Sequence, residues 1–409
     1  MTQKRRHVVI LDDDGDLRRE ISQMLELGGH DVVALSDACL LDPAAFDGVD
    51  VLILDLMMPG VDGLDVLRRL GKWRAPPKLV LMTGHGEAVL RGTTAAAERQ
   101  GLTVIGGLAK PFDPDQLSAL LDAVPEEARA GAAPTDPPST LIRSALEAAL
   151  RDNSLKVAFQ PIVRSDTLQF AGAEALLLGE LPEIGKVSPP AIVAAAMTEP
   201  AIISVLSVEV ARQAAAACAE WLAAGYQGQV SVNLPLTVLL ERSTVEAITA
   251  ITKSAGLPPQ QVTFELTEDS LYDSSASALS TLVKLRLAGF GLALDDVGQR
   301  SSGLTQLANL PVTELKIDIE IVRSARTWSK ARDIFAALAG LGRRLNLAVV
   351  AEGIETPQDV ALARAHCVDF LQGYLISHKR PLSELMKLLP RLSSDTRQRM
   401  ETLEASQGG

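Results

Sequence analysis

Cysteine and long apolar runs are scarce in this sequence. Three cysteines occur in 409 residues and lie far apart, which excludes a disulfide framework and a metal site with clustered thiolates. We therefore expect a protein of the reducing cytoplasm, with cysteines packed as small core side chains. No apolar run suggests a membrane span, because the Ala-rich stretch 211–224 contains Arg212, Gln213 and Glu220. The basic first residues lack the apolar core of a signal peptide.

A dense basic stripe is also missing. The chain carries 39 Lys and Arg residues against 51 Asp and Glu residues, for a net charge of −12. This balance argues against direct binding of nucleic acid. It leaves room for a small anionic ligand, because a bound divalent metal inverts the local field. With 47% hydrophobic and 22% charged residues, we expect folded domains, and the length suggests two of them.

Strand and helix signals alternate in residues 7–124. The strand candidates are His7–Leu11, Asp31–Leu35, Val51–Leu54, Leu79–Met82 and Val104–Leu108. Amphipathic helices lie between them, for example Asp16–Leu27 and Gly63–Leu70. This pattern predicts an α/β domain with a doubly wound, flavodoxin-like parallel sheet and a ligand site at the carboxyl ends of its strands.

Polar residues follow four of these strands, namely Asp12, Asp13, Asp55, Thr83 and Lys110. Three carboxylates gathered at one edge of a sheet would bind one Mg²⁺ through hard oxygen ligands. Asp55 can then accept a phosphoryl group as a nucleophile. Thr83 would hydrogen-bond a phosphoryl oxygen, and Lys110 would pair with its charge.

Four short segments support this interpretation: LDDDGDLR, ILDLMMPG, LMTG and AKPF. In this order they resemble the receiver domain of two-component response regulators. The resemblance implies that Asp55 is the phosphoacceptor, that Asp12 and Asp13 serve the metal, and that a histidine kinase or phosphotransfer protein is the partner. Receivers often carry an aromatic switch residue three positions before the lysine, where this chain has Gly107. The alternative is a receiver fold that is never phosphorylated.

A second domain follows a short linker. Residues 125–139, PEEARAGAAPTDPPS, mix Pro, Ala and Gly without apolar periodicity. We therefore expect a receiver domain in residues 1–124, a linker in 125–139, a second domain in 140–393 and a C-terminal tail in 394–409. Eight strand candidates with intervening helices predict a TIM-like (β/α)₈ barrel. They are Val157–Val163, Leu168–Leu177, Gln229–Leu234, Val262–Leu266, Phe290–Leu294, Glu314–Ile317, Leu347–Ala351 and Phe370–Leu375.

Polar residues recur on all eight candidate strands, where barrels of this kind carry their sites. They are Gln160, Glu174, Asn233, Glu265, Asp295 with Asp296, Lys316, Glu352 with Glu355, and Gln372. A lone Asp-Asp pair such as Asp295 and Asp296 is typical of a turn or a helix N-cap. The recurrence of polar residues on all eight strands instead favours a functional site. Carboxylates and an amide oxygen suit Mg²⁺ or Mn²⁺ rather than zinc. Two such ions sharing Asp295 would stabilise an in-line displacement at a phosphate ester, with Lys316 or Glu352 acting on the water.

Eight motifs match one family in order: FQPIV, EALLL, VSVNL, FELTE, LDDVG, KID, AEGIE and LQGYL. They resemble the EAL family of phosphodiesterases, which linearise cyclic di-GMP to pGpG. The resemblance covers residues 140–390. It implies that two metal ions are bound by Glu174, Asn233, Glu265, Asp295 and Asp296. It also implies that Glu352 and Lys316 act on the attacking water. The remaining implied roles are lining of the substrate site by Gln160, Glu355 and Gln372, and stabilisation of the loop after the fifth strand by Glu268.

Two departures from the family pattern predict low activity. The family usually has Arg-Trp where this chain has Leu178 and Gly179, and that Arg contacts a substrate phosphate. The loop at 295–304 reads DDVGQRSSGL instead of DDFGTGYSSL. In the family this loop also serves dimer contacts, so we expect a homo-oligomer. The alternatives to a phosphodiesterase are an effector that binds cyclic di-GMP or a protein partner without catalysis, and a phosphorylation-switched scaffold without a ligand.

Overall fold

The computed structural model describes residues 5–36, 46, 48–58, 61–73, 76–122, 136–239, 241–267, 276–298 and 310–407. The chain divides into two compact units, Met1–Thr135 and Asp136–Gly409. Each unit has its own buried core.

The first unit is an α/β domain with a five-stranded parallel sheet, in the order β2-β1-β3-β6-β7. Its strands are β1 (His7–Leu11), β2 (Asp31–Leu35), β3 (Val51–Asp55), β4 (Met57–Met58), β5 (Val61–Asp62), β6 (Lys78–Thr83) and β7 (Val104–Ala109). Its helices are α1 (Gly15–Leu27), α2 (Gly63–Leu70), α3 (Glu87–Glu98) and α4 (Pro114–Asp122). The short β4 and β5 pair with each other outside the sheet. The expected doubly wound fold is confirmed.

The apolar strands of this sheet explain where its polar residues gather. Every residue of β3 is buried, as expected for a central parallel strand that helices cover on both faces. The pairing of Leu11 with Leu54 in the register of β1 and β3 brings the ends of these two strands together. Asp12 and Asp55 therefore lie side by side at the carboxyl edge of the sheet.

The second unit is a closed eight-stranded barrel in the order β12-β13-β14-β15-β16-β17-β8-β9. Its strands are β8 (Val157–Arg164), β9 (Phe170–Leu177), β10 (Glu180–Leu181), β11 (Gly185–Lys186), β12 (Gln229–Asn233), β13 (Val262–Thr267), β14 (Gly291–Val297), β15 (Glu314–Ile317), β16 (Ala348–Ala351) and β17 (Phe370–Gln372). The short β10 and β11 form a separate hairpin. The expected TIM-like barrel is confirmed.

Helices surround the barrel and extend to the end of the described chain. They are α5 (Ser139–Arg151), α6 (Pro189–Met197), α7 (Pro200–Ala223), α8 (Leu236–Leu239), α9 (Arg242–Ser254), α10 (Ala276–Leu287), α11 (Ile319–Ala325), α12 (Ser329–Arg344), α13 (Pro357–Ala365), α14 (Leu382–Leu388) and α15 (Leu392–Gln407). Single 3₁₀ turns occupy Pro259–Gln261 and Leu389–Arg391.

The first barrel strand departs from a strict (β/α)₈ pattern. β8 runs antiparallel to both of its neighbours, β9 and β17. The reason is the connection at 165–169, which is too short for the helical crossover of a dozen or more residues that parallel neighbours need. One consequence is that Gln160 lies inside β8 and directly opposite Glu174 in the register.

Helix α7 is long and apolar enough to cross a membrane by length and composition alone. In the structure 61% of its most apolar window is buried. Its Trp221 is fully buried and packs edge-on against Phe159 and Phe170 of the barrel. These contacts are those of a core helix in a folded domain.

Both ends of the second unit pack onto it. The Asp136 carboxylate accepts hydrogen bonds from the backbone N–H and the hydroxyl of Ser188, at 2.7 and 2.5 Å, where α6 begins. The residues assigned above to a C-terminal tail form most of α15, in which Leu392 and Thr396 are buried. The second compact unit therefore begins before residue 140 and continues beyond residue 393, the bounds that we expected for the second domain.

Candidate active site and phosphoacceptor site

The acidic residues of the barrel converge on one fully buried lysine, Lys316 of β15. Its Nζ lies 2.6 Å from Glu352 Oε1, 3.0 Å from Glu265 Oε1, 3.4 Å from Asp295 Oδ1 and 3.6 Å from Glu174 Oε2. These four carboxylates come from four different strands or strand ends. A buried ammonium is stable only when anions compensate its charge, so Lys316 and the acids hold one another in place.

Amide side chains fix the carboxylate of Glu174. Asn233 Nδ2 donates to Glu174 Oε1 at 2.7 Å, and Gln372 Nε2 donates to Oε2 at 2.6 Å. Gln372 Nε2 also lies 3.3 Å from Gln160 Oε1, and Gln160 Nε2 donates to the Ser377 carbonyl at 3.2 Å. The structure thus brings together four polar residues that the sequence singled out on separate strands.

A bulge in β14 brings two adjacent acids to one place. Neighbouring residues of a regular strand point to opposite faces. Here the register shifts between Leu294 and Val297, and Asp296 has a φ of 58°, an uncommon left-handed backbone that Asp tolerates better than most residues. As a result, Asp295, Asp296 and Glu352 can each place a carboxylate oxygen within 4.8 Å of the others.

Burial and mutual repulsion raise the pKa values of three acids of the cluster, and attraction to the acids raises the pKa of Lys316. Burial raises the pKa of Glu352 to about 8 and that of Asp296 to about 6, and the Asp295 charge adds to both shifts. Burial, reinforced by Glu174, holds the pKa of Glu265 well above its usual range. For Lys316 burial favours the neutral form, but the surrounding carboxylates outweigh it and raise the pKa well above its usual range. Lys316 therefore stays an ammonium at neutral pH.

The acidic cluster fits divalent cations. Glu265 Oε2 is buried and accepts no hydrogen bond from the described residues, whereas buried acceptors are normally satisfied. Asp295, Asp296 and Glu352 supply further oxygens at a mutual distance suited to one ion. An all-oxygen donor set of this kind matches Mg²⁺, Mn²⁺ or Ca²⁺.

A cavity of about 250 Å³ opens beside the cluster. Its lining includes Gln160, Asp295, Glu352, Glu355, Arg323 and Tyr374. Two of these, Arg323 and Tyr374, were not singled out from the sequence. Arg323 follows no strand because it lies inside α11, whereas Tyr374 follows β17 but carries no charge that would mark it as the acids are marked.

A larger cavity of about 830 Å³ adjoins the same cluster between the barrel and helices α6 and α7. Apolar side chains such as Val193, Met197 and Leu206 form most of its wall. Asn233 and Glu265 reach it from the barrel. The acidic cluster therefore borders two spaces of different polarity.

The two departures at 178 and 179 have different structural settings. Leu178 is half-buried and lines neither of these two cavities. At Gly179 a Cβ atom would lie 2.2 Å from the Val187 carbonyl oxygen, so no larger residue fits there without a backbone shift. Glu268 and residues 299–309 lie outside the described residues.

The predicted phosphoacceptor site gathers at the carboxyl edge of the first sheet. Lys110 Nζ lies 2.7 Å from Asp12 Oδ2 and 2.8 Å from Asp55 Oδ2. Asp12 and Asp55 are buried, Asp13 is exposed, and the three can place oxygens within 4.8 Å of one another. Thr83 ends the neighbouring strand, fully buried. Burial raises the pKa of Asp12 against the opposing effect of Lys110.

Gly107 faces a space that another side chain already fills. A Cβ atom at this position would lie 2.7 Å from the side chain of Leu90 on α3. Leu90 is itself 9% exposed and belongs to the core beneath this helix. An aromatic residue at position 107 would therefore require the Leu90 side chain to be displaced.

Comparison with known protein families matches both units. The family described as EAL domain matches residues 143–379, and the family described as response regulator receiver domain matches residues 8–122. The first match spans more than half of the chain and includes all the barrel residues discussed above. The second spans the sheet that carries Asp12, Asp55 and Lys110.

Several curated proteins and solved structures are similar to this chain. The cyclic di-GMP phosphodiesterase RocR of Pseudomonas aeruginosa is 29% identical over 360 residues, which cover 86% of this chain and 88% of RocR. The oxygen sensor protein DosP of Escherichia coli is 32% identical over 247 residues, 60% of this chain but only 31% of DosP. The structure of PaMucR phosphodiesterase in complex with c-di-GMP aligns with a TM-score of 0.56 and 29% identity, covering 60% of this chain and 99% of that one.

Proposed function

Because this chain belongs to the EAL domain family and carries a response regulator receiver domain, we propose that it is a response regulator whose barrel hydrolyses cyclic di-GMP to linear pGpG. The observation that carries the proposal is the cluster of four carboxylates around the buried Lys316. A protein that only binds a ligand has no need for so many buried acids, whose desolvation is costly.

The two cavities support a ligand of this chemistry. A cyclic dinucleotide has two bases joined by two phosphodiesters, and the acidic cluster lies where the smaller and the larger cavity both reach it. A base can occupy each side while one phosphodiester lies over the carboxylates. The predicted substrate contacts Gln160, Glu355 and Gln372 all line the smaller cavity.

The metal ions of this proposal are two Mg²⁺ or Mn²⁺ ions in the barrel and one in the receiver domain. In the barrel the ligands would be Glu174, Asn233, Glu265, Asp295 and Asp296. In the receiver domain they would be Asp12, Asp13 and Asp55. When bound, the barrel ions supply positive charge at the reacting phosphate and lower the cost of an in-line displacement.

Glu352 is the proposed general base. Its Oε1 is held 2.6 Å from Lys316 Nζ, and its carboxylate lines the smaller cavity, where it would accept a proton from the attacking water. Lys316 contributes as a fixed cation, since its ammonium form is favoured by the acids around it. It orients Glu352 and compensates negative charge that develops as the phosphate is attacked. Glu268 is proposed to hold the loop after β14.

The receiver domain is proposed to accept a phosphoryl group on Asp55 from a histidine kinase or phosphotransfer protein. The Asp55 Oδ2 is 2.8 Å from the Lys110 ammonium, which would pair with the phosphoryl group after transfer. Thr83 lies at the end of the adjacent strand, where its hydroxyl would donate to a phosphoryl oxygen. We place this activity in the cytoplasm, without binding to nucleic acid or a membrane.

Association into a homo-oligomer completes the proposal. The apolar side chains of Ile334 in α12 and of Leu345, which caps the C-terminal end of this helix, are exposed at 45% and 40%. Burial of such side chains in a subunit contact is favourable. Size-exclusion chromatography with light scattering tests this part, and a monomer at micromolar concentration would contradict it.

The activity is tested with purified protein, cyclic di-GMP and either Mg²⁺ or Mn²⁺, with nucleotide products separated by chromatography. We expect pGpG from the wild type, inhibition by Ca²⁺ because its longer and looser coordination misplaces the reacting groups, and no product from Glu352→Ala. Tight binding of cyclic di-GMP without product under every metal condition would support the alternative of a non-catalytic effector. That alternative is motivated by Leu178, which stands where the family usually has an Arg that contacts a substrate phosphate.

A further inference from the structure

The C-terminal helix α15 holds a guanidinium against the turn that follows the last barrel strand. Arg399 of α15 donates from Nη2 to the Ile376 carbonyl and, at 3.4 Å, to the hydroxyl of Thr396 one turn earlier in the helix. Ile376 and Thr396 are both fully buried. Helix α15 lies after the last residue that the EAL domain family matches, so this contact joins the barrel to a part of the chain beyond the family match.

Arg399 is a costly residue at this position. Its Nε is buried without a hydrogen-bond partner among the described residues. Asp395, one turn away on the same helix, is paired with Arg391 instead, at 3.3 Å. Burial lowers the pKa of Arg399, and the charge of Arg380 adds to this effect while Asp395 opposes it. A partly buried cation that lacks a close anion is unfavourable for folding, so the contact with Ile376 does not serve stability alone.

The turn that Arg399 contacts is joined directly to Gln372, the last residue of β17. The backbone N–H groups of Ile376 and Ser377 both donate to the Gly373 carbonyl, at 3.1 and 3.0 Å. These two bonds make residues 373–377 one compact unit. A displacement of the Ile376 carbonyl therefore moves Gly373 and the neighbouring Gln372 as well.

The same turn is connected to Gln160 of β8. Gln160 Nε2 donates to the Ser377 carbonyl at 3.2 Å, and Gln160 Oε1 accepts from Gln372 Nε2 at 3.3 Å. Gln372 Oε1 is buried and accepts no hydrogen bond from the described residues, so the orientation of this amide depends on its Nε2 contacts and on the turn. Gln372 Nε2 is also the group that donates to Glu174 Oε2, at 2.6 Å. A chain of contacts thus leads from α15 to the Glu174 carboxylate.

We propose that Arg399 is a positioning residue for the metal ligand Glu174, through the turn at 373–377. Arg399 fixes the turn, the turn fixes the two glutamine amides, and these amides orient the Glu174 carboxylate toward a divalent ion. This inference rests on the proposed function, in which Glu174 is a metal ligand. Groups that orient a ligand from outside the coordination sphere contribute to metal affinity. Arg399 itself lines neither of the two cavities described above.

Isothermal titration of the full-length protein with Mn²⁺, without nucleotide, tests the inference by a readout that is independent of turnover. Arg399→Met keeps a long apolar side chain but removes every donor. We expect it to weaken Mn²⁺ binding at the barrel site by about three- to tenfold, the scale of one hydrogen bond. The Mn²⁺ concentration that gives half-maximal hydrolysis of cyclic di-GMP should rise by the same factor, and the rate should recover in excess Mn²⁺.

Arg397→Met is the matched control. Arg397 also lies on α15 and donates from Nη2 to a backbone carbonyl, that of Thr167, at 3.0 Å. Thr167 lies in the connection between β8 and β9, so we expect Arg397→Met to bind Mn²⁺ as the wild type does. The receiver domain is identical in both variants, and its metal site therefore does not affect the comparison.

A second pair of variants covers the case in which circular dichroism shows that Arg399→Met does not fold. Arg399→Lys keeps the positive charge and can still donate to the Ile376 carbonyl, but without the fork of a guanidinium. We expect it to weaken Mn²⁺ binding by about twofold, less than the loss of the whole hydrogen bond. Arg397→Lys is its control and should not change Mn²⁺ binding.

The outcomes separate this inference from the proposed function. Equal losses of Mn²⁺ affinity in the two variants of a pair would mean that α15 only stabilises the barrel, and would overturn the inference. Unchanged Mn²⁺ binding in a folded Arg399→Met would also overturn it, while leaving the proposed function standing. A wild type whose barrel binds no Mn²⁺ and forms no pGpG would overturn both.

Discussion

Replacing Lys316 with Met removes the cation that four carboxylates, three of them buried, share. The Lys316 ammonium is fully buried, with carboxylate oxygens between 2.6 and 3.6 Å away. Methionine has a similar volume, so the main loss is the charge. Removing one partner of a buried ion pair typically costs about 3–5 kcal/mol, because the other partner is left uncompensated. We expect the free energy of unfolding of the barrel to fall by an amount in this range.

Divalent metal should reverse part of this loss. A cation bound among the same carboxylates compensates their charge, and a ligand that binds only the folded state stabilises it by about 2.7 kcal/mol at a hundredfold excess over its Kd. Urea unfolding followed by circular dichroism, with EDTA and with Mg²⁺, measures both effects. The stability deficit of Lys316→Met should be larger in EDTA than in Mg²⁺.

Lys156→Met is the control for this experiment. Lys156 and Glu180 form an exposed pair at 3.2 Å, and such surface pairs contribute roughly 0–1 kcal/mol. Lys156→Met should therefore cost little, with or without metal. A Lys316→Met deficit no larger than that of Lys156→Met, or one that does not respond to Mg²⁺, would refute the shared-cation description of the site.

Three further predictions concern other parts of the chain. Burial raises the pKa of Glu314 from 4.5 to about 7, so the folded state retains a proton that the unfolded chain releases, and stability falls as pH rises through this window. Glu314→Gln should match the wild type near pH 4.5 and exceed it at pH 8 by up to roughly 3 kcal/mol in urea unfolding; an equal difference at both pH values would contradict this. Asp55→Asn should abolish labelling by acetyl phosphate, and a label retained on the variant would remove Asp55 as the acceptor. Gly107→Phe should destabilise the receiver domain by about 1–3 kcal/mol through overpacking, and adding Leu90→Ala should restore part of the lost thermal stability. If the double variant is no more stable than Gly107→Phe alone, the clash with Leu90 is not the cause.

Local sequence patterns predicted most of the elements correctly. Five strand candidates of the first domain and eight of the second appear with bounds that differ by no more than three residues. Buried parallel strands are near-continuous apolar runs, and their ends are marked by the first polar residue. For the same reason, the sequence could predict that the acids at 295 and 352 lie near one another at the carboxyl ends of barrel strands.

Features that depend on long-range pairing could not be derived in this way. The pairing of β8 with β17 depends on which strands meet when the barrel closes, and apolar periodicity does not report which strands become neighbours. The bulge in β14 extends the strand through Asp295 and Asp296, which the sequence placed after its end. Arg323 carries no local signal of its place in the lining of the smaller cavity, because that place is determined by how α11 packs.

The central claim is that the barrel uses water to open a phosphodiester of cyclic di-GMP. Hydrolysis in ¹⁸O-labelled water with Mn²⁺, followed by mass spectrometry of the dinucleotide, tests this claim most directly. We predict that pGpG made by the wild type carries one solvent oxygen in its 5′-phosphate, and that Glu352→Gln forms no labelled product. Absence of pGpG from the wild type, or pGpG without the label, would contradict the account.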